Sequence, residues 1–232
     1  MKKYFLLLAL PLFFACTLPD DNSDDSLSGG ETTSIHVPRA VDMGLSVKWA
    51  DSNLGAASEE CLGGYYAWGE TETKKDYSWA TYKWANGAPD KLTKYNSDPM
   101  KGIVDNKTVL DRDDDVAAVR YGGKWRIPTN AEWDELFNEC NVSVVEKAGV
   151  AGLQLVSRTT GNSIFLPAVG GYMEGESLKS AGSNTNNWSS NLDEEQPENA
   201  RNIVYVTTSH IKYQYLGSVG RHFGFQIRAV TD

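Results

Sequence analysis

Twelve residues near the middle of the chain limit its fold more than any others: Trp125-Arg126-Ile127-Pro128-Thr129-Asn130-Ala131-Glu132-Trp133-Asp134-Glu135-Leu136. They read as the end of a strand, a proline turn and a capped amphipathic helix. Thr129 and Glu132 stand at capping-box spacing, so the threonine oxygen takes one orphan helix N–H while the glutamate reaches back to the cap. Trp133, Leu136, Phe137 and Cys140 recur at i, i+3, i+4 and i+7, which makes one apolar helix face. The segment fixes architecture and carries no chemistry of its own.

The start of the chain is of a different kind. Met1-Lys2-Lys3 is followed by an apolar run from Tyr4 to Ala15 and then by Cys16. A basic start and a short apolar core make residues 1–15 a signal peptide. The run is shorter than the roughly 20 residues a bilayer-spanning helix needs. Cysteine directly after Ala15 points to bacterial lipoprotein processing, with Cys16 as the lipidated residue; the other reading is an ordinary signal peptide that contains a cysteine. Residues 16–40 are polar and acidic, with Asp20, Asp21, Asp24 and Asp25 among serines and glycines. Such a stretch buries too little apolar surface to order itself and reads as a tether. Its acids resemble the export signal of Bacteroidetes-type surface lipoproteins, which implies an outer-membrane protein exposed on the cell surface and held to the membrane through its lipid alone.

Residues 41–232 suit one domain. The net charge of −9 argues against nucleic acid as a partner, because phosphates call for Lys and Arg. Of the three cysteines, Cys61 and Cys140 are left to the domain. They either pair or leave Cys140 as a buried thiol on its helix.

Along the domain, Leu45–Ala50 and Gly63–Gly69 read as short strands. From Glu70 to Asn106 the chain is irregular, with Tyr77, Trp79, Tyr82, Trp84 and Tyr95 among polar residues; a stretch of this kind is a functional loop or a locally ordered excursion. Asp113–Val119 reads as a short capped helix ended by Gly122-Gly123. Gln154–Ser157 and Ser163–Leu166 bracket a hairpin turn. Strands follow at Trp188–Ser190, Arg201–Thr208 and Phe225–Val230. Two helices, short antiparallel strands and extensive loops define an α+β class.

The order of Gly44–Ala50, Gly64–Glu70, Asp114–Val119, Gly123–Thr129, Asn162–Ala168, Trp188–Ser190 and Gly224–Arg228 resembles the bacterial family called the Fibrobacter succinogenes major paralogous domain. The resemblance covers nearly all of the domain and implies a C-type-lectin-like fold. That broad fold also serves formylglycine-generating enzymes and retroelement variable proteins, so function must come from residues.

Catalytic patterns fail. A formylglycine-generating site needs a late cysteine pair, and no cysteine follows Cys140. There is no HExxH helix, GxSxG elbow or Walker loop. Glu70 with Glu72, or Glu174 with Glu176, would supply paired acids for a glycosidase, but adjacent-loop acids are ordinarily surface charges. Asp111, Asp113 and Asp115 have calcium-loop spacing, yet capping is the simpler account of Asp115. Gln196-Pro197-Glu198-Asn199 is superficially like a lectin calcium motif and stands in the wrong order relative to Trp188. The four tryptophans Trp49, Trp68, Trp125 and Trp133 read as core, and Arg126 and Arg228 as partly buried structural cations.

No enzyme, metal or cofactor is therefore expected. The candidate ligand-binding residues are Tyr205, His210, Tyr213, Tyr215, His222 and Phe223, in a late run of Tyr, Ser and His whose composition resembles binding loops. The resemblance to the retroelement proteins puts the ligand surface there too. A hairpin with an exposed aromatic face would look the same. The implied partner is an extracellular protein or glycan, with adhesion as the role. Alternatives of other classes are an enzyme acting on surface glycans and a passive structural subunit.

Overall fold

A computed structural model describes residues 37–207 and 214–232. The segment read as a signal peptide, Cys16, His36, His210 and Tyr213 lie outside the described residues. Strand β1 is Ala40–Val41, and the Arg39 N–H donates to Asp51 Oδ1.

β2 (Lys48–Ala50) takes β1 on one side and β11 (Val230–Thr231) on the other, all antiparallel. Both ends of the described domain thus share one small sheet. Helix α1 (Val116–Tyr121) starts at Asp115, whose carboxylate accepts from the N–H groups of Ala117 and Ala118. Helix α2 (Asn130–Glu139) starts at the capping box read from sequence. Glu132 N–H donates to Thr129 Oγ1 at 3.3 Å, and Thr129 N–H donates to Glu132 Oε2 at 2.7 Å. Arg126 adds a bidentate pair to Glu132, so the helix start is welded to the strand end before it.

The helix stops one residue before the expected Cys140, which opens strand β3 (Cys140–Lys147). The run Val142-Ser143-Val144-Val145 is dense in β-branched side chains, which favour a pleated strand over a further helical turn. Cys140 remains buried. β3 pairs with β4 (Val150–Ser157), and β4 with β5 (Ser163–Pro167), across the hairpin turn foreseen at 158–162. β6 (Gly171–Tyr172) and β7 (Leu178–Lys179) make a small ribbon. β8 (Asn184–Leu192), β9 (Asn199–Val206) and β10 (Gln214–Gly220) form an antiparallel sheet in that order.

Two of the expected strands are not strands. Gly63–Gly69 enters one isolated β-bridge, from Tyr66 to Phe225, and no ladder. Phe225–Val230 is extended but enters a ladder only at its end. Both thread between cores and meet their neighbours through isolated bridges and single backbone bonds instead of a continuous ladder. Their alternation is real: Tyr66 and Trp68 face one core while Tyr65 and Ala67 face another.

Three apolar clusters hold the domain. The first joins Trp49, Trp133, Leu136 and Phe137 to the β3–β4–β5 sheet and to Ile203 and Tyr205. The second gathers Trp68, Tyr95, Trp125, Ile127, Trp188, Phe225 and Ile227. All four tryptophans read as core are buried. Each such large side chain contributes about 2–3 kcal/mol of burial. The third cluster holds Tyr65, Ala67, Tyr77 and Tyr82. The irregular stretch after Glu70 is thus an ordered excursion with its own core.

Arg228 ties these layers together. It is fully buried and donates to Asn53 Oδ1 at 3.0 Å, Ala50 O at 3.1 Å and Phe165 O at 2.7 Å. Burial draws its pKa down to about 10.

Candidate functional site

The turn that follows β10 is Gly220-Arg221-His222-Phe223-Gly224. Its backbone is held from both sides. Tyr172 and Gly224 exchange N–H to O bonds at 2.9 Å, and Phe223 N–H closes on Gly220 O at 3.0 Å. Arg221 anchors it from beneath. Its buried guanidinium donates to Tyr95 O and Lys94 O, each at 2.8 Å, and to Trp84 O at 3.3 Å. It lies 5.4 Å from the centre of the Tyr82 ring. A planar fork with several donors suits such a set of carbonyls; an ammonium does not.

With Arg221 turned inward, the next two side chains build an aromatic edge. The His222 ring lies 4.4 Å from Trp79, tilted by 36°. Phe223 stands edge-on to His222 at 4.5 Å and reaches Phe225 at 6.2 Å. On the neighbouring ribbon, Tyr172 stacks on Tyr77 at 5.0 Å and meets Tyr65 edge-on at 5.1 Å. Trp79, Tyr172 and Phe223 are half-buried, so each shows part of its ring to solvent. The rings behind them are fixed by their hydroxyls: Tyr65 donates to Val169 O, Tyr77 to Tyr65 O and Tyr82 to Trp68 O, all within 2.7 Å.

Two glycines make this packing possible. A Cβ at Gly220 would sit 2.6 Å from the His222 ring, and one at Gly224 would sit 2.6 Å from the Tyr77 ring. His222 itself is buried, and burial, helped by the charge of Lys74, pushes its pKa down to about 4. The imidazole is a neutral supporting ring at physiological pH.

Of the residues singled out in sequence, the fold brings His222 and Phe223 together and adds Trp79 and Tyr172. Tyr205 is a correction. It is 4% exposed and belongs to the first core, because Ile203 and Tyr205 share the inward face of β9. Only the backbone of Tyr215 is described; it pairs with Val204 in the β9–β10 ladder. Trp79 and Tyr172 carried no sequence signal as a pair, since only the fold brings their segments beside the turn.

The acids weighed as catalytic or metal-binding are otherwise engaged. Glu70 accepts from Lys74 Nζ at 2.9 Å and from Lys83 N–H at 2.8 Å. Glu72 pairs with Arg120. Glu174 and Glu176 are exposed between β6 and β7. Lys107 and Lys94 hold the Asp111 carboxyl below the usual carboxylate range. Asp115 spends one oxygen on the α1 cap and the other on Ile127 N–H at 2.7 Å. Glu198 pairs with Lys101 at 2.8 Å. Among the described residues no group of three or more His, Cys, Asp or Glu side chains is placed to hold a metal ion. Cys140 is a free buried thiol, so it does not pair with Cys61; burial raises its pKa to about 11.

What these rings offer is flat apolar area on a rigid support. The chain is a mixed α+β domain of several small antiparallel sheets and, among the described residues, two α-helices. Comparison with family models, with curated proteins and with solved structures finds no match to it.

Proposed function

We propose that this chain is a non-catalytic binding protein, carried on the outer face of the cell by a lipid at Cys16, that takes a protein or glycan ligand on its C-terminal aromatic edge. The observation that carries the reading is the edge itself, with Trp79, Tyr172 and Phe223 half-exposed over a backbone fixed from beneath by Arg221. Exposed aromatic rings on a preordered frame stack on sugar rings and serve equally as protein hot spots. The ordering cost is met on folding, so little of it remains to oppose binding.

A C-type-lectin-like fold is part of the proposal. Three features support it: the pairing of both domain ends through β2, the two helices placed early, and the long ordered excursion between them and β2. No described helix is long and apolar enough to cross a membrane, which is compatible with attachment through the lipid alone.

The test compares the intact chain with a Trp79→Ala, Phe223→Ala variant on arrays of glycans and of surface proteins. The expected result is binding to one array that the double variant loses while its melting stays cooperative. Equal signal from both proteins would remove the aromatic edge as the ligand surface. Palmitate labelling tests the anchor: Cys16→Ser abolishes incorporation if Cys16 carries the lipid.

A further inference from the structure

Asparagine followed by glycine occurs once in the chain, at Asn86-Gly87; every other asparagine precedes a residue that carries a side chain. The pair stands at the tip of a turn within the ordered excursion. The flanks of that turn are pinned. Ala85 and Leu92 form an isolated bridge, Asn86 N–H donates to Lys91 O at 2.9 Å, and Lys91 N–H donates to Ala88 O at 3.1 Å. The tip itself is open. Asn86 and Gly87 are both exposed, and among the described residues nothing bonds to the Gly87 N–H or to the Asn86 side-chain amide. Gly87 has a φ of +77°, and a Cβ placed there would meet no atom within 4 Å.

These features favour attack of the chain on its own side chain. The Gly87 N–H holds no acceptor, so hydroxide can take its proton. Glycine adds no Cβ to crowd the nitrogen, and the surrounding space is clear. The Asn86 amide has no partner that would hold it away.

We propose that Asn86 is a site of spontaneous deamidation, which puts an isoaspartyl linkage and a new negative charge into the turn beside the Arg221 anchor. Hydroxide removes the Gly87 N–H proton, and the nitrogen lone pair attacks Asn86 Cγ. The C–N bond of the side-chain amide breaks, and its nitrogen leaves as ammonia with a proton from water. Water then opens the succinimide at either carbonyl. Opening at Cγ gives aspartate; opening at the Asn86 main-chain carbonyl leaves the chain joined through the side chain, as isoaspartate. Ammonia is lost, water is gained, and nothing is oxidised or reduced.

Isoaspartate lengthens the main chain by a methylene, close to Trp84. The Trp84 carbonyl accepts from Thr93 N–H at 3.0 Å and from Arg221 at 3.3 Å. The longer turn no longer matches the Ala85–Leu92 bridge that keeps this carbonyl in place.

Peptide mapping of the full chain, purified in detergent and aged for days at 37 °C, reads the reaction. The peptide that carries Asn86 should convert several-fold faster than those that carry the exposed Asn106 and Asn141, and faster at pH 8 than at pH 6. Its product should accept methyl groups from a protein isoaspartyl methyltransferase. The chain unfolded in guanidinium sets the rate of the unrestrained sequence, and the folded chain should convert within a few-fold of it. Gly87→Ala should slow the folded reaction several-fold. Aged wild type should melt below fresh protein, whereas aged Asn86→Gln should melt with its fresh form. A rate at Asn86 no greater than at Asn106 and Asn141, or far below that of the unfolded chain, would overturn the proposal. An equal melting loss in Asn86→Gln would overturn the link to the turn. If Gly87→Ala does not fold, the comparison of folded with unfolded wild type decides alone.

Discussion

Burial of His222 makes the domain sensitive to mild acid. The ring is 4% exposed, stacked on Trp79, and faces Lys74. Its pKa falls from an ordinary 6.5 to about 4 on folding. The unfolded chain therefore binds a proton between these values and the folded chain does not. Stability is complete above pH 6.5 and is lost as pH falls toward 4. At pH 5 the loss from this one group is about 2 kcal/mol, by linkage between those two values. For a domain of this size that corresponds to roughly 4–8 °C in Tm. Carboxylates also begin to titrate there, so the informative quantity is a difference. His222→Phe keeps a flat ring against Trp79 and removes the titration. Urea unfolding of both proteins at pH 7.5, 6 and 5 should give two curves that converge as pH falls, with the variant gaining on the wild type by about 2 kcal/mol at pH 5. Parallel curves across that range would refute the burial of a neutral imidazole.

Other sites give sharper single losses. Asp115→Ala removes the α1 cap and orphans Ile127 N–H, and urea midpoints should fall by an amount equivalent to roughly 2–4 kcal/mol. Arg228→Lys keeps a charge but cannot reach Asn53, Ala50 and Phe165 together, so thermal melting should show a loss of at least about 3 kcal/mol. Gly170→Ala adds a Cβ that would land on Lys179 O at a φ of +69°, and limited proteolysis should then cut first within the β6–β7 ribbon.

The parts of this fold legible in sequence are those decided within a few residues. The capping box at Thr129 and Glu132, the Asp115 cap and the hairpin turn at 158–162 each depend on local hydrogen bonding. The end of α2 was not legible, because Cys140 satisfies the helical period as well as it satisfies the strand that it opens. Gly63–Gly69 shows the converse. Its period of two is genuine, but alternation reports only that opposite faces are both occupied, not that a neighbour strand exists. The candidate site divides in the same way. His222 and Phe223 stand out by composition, whereas Tyr205 has the same composition and points into a core, since side-chain type carries no information about which face of β9 is inward. Trp79 and Tyr172 join the turn only through topology.

The buried cations explain why the aromatic edge stays in place without a dense helical scaffold. Arg221 and Arg228 both lie fully buried and donate to carbonyl oxygens and to the Asn53 amide oxygen. Removing a guanidinium from water costs several kcal/mol, and that cost is recovered only when good acceptors surround it. Carbonyls of irregular segments are such acceptors, and in the same contact they lose the need for a strand partner. Arg221 therefore stabilises loops that have no ladder of their own, through Trp84, Lys94 and Tyr95, whereas Arg228 ties strands β2 and β5 together through Ala50 and Phe165 and reaches the segment after β2 through Asn53. The turn at 220–224 gains a rigid floor from the first of these. Its rings are presented by the same interaction that lets a long irregular excursion pack as core.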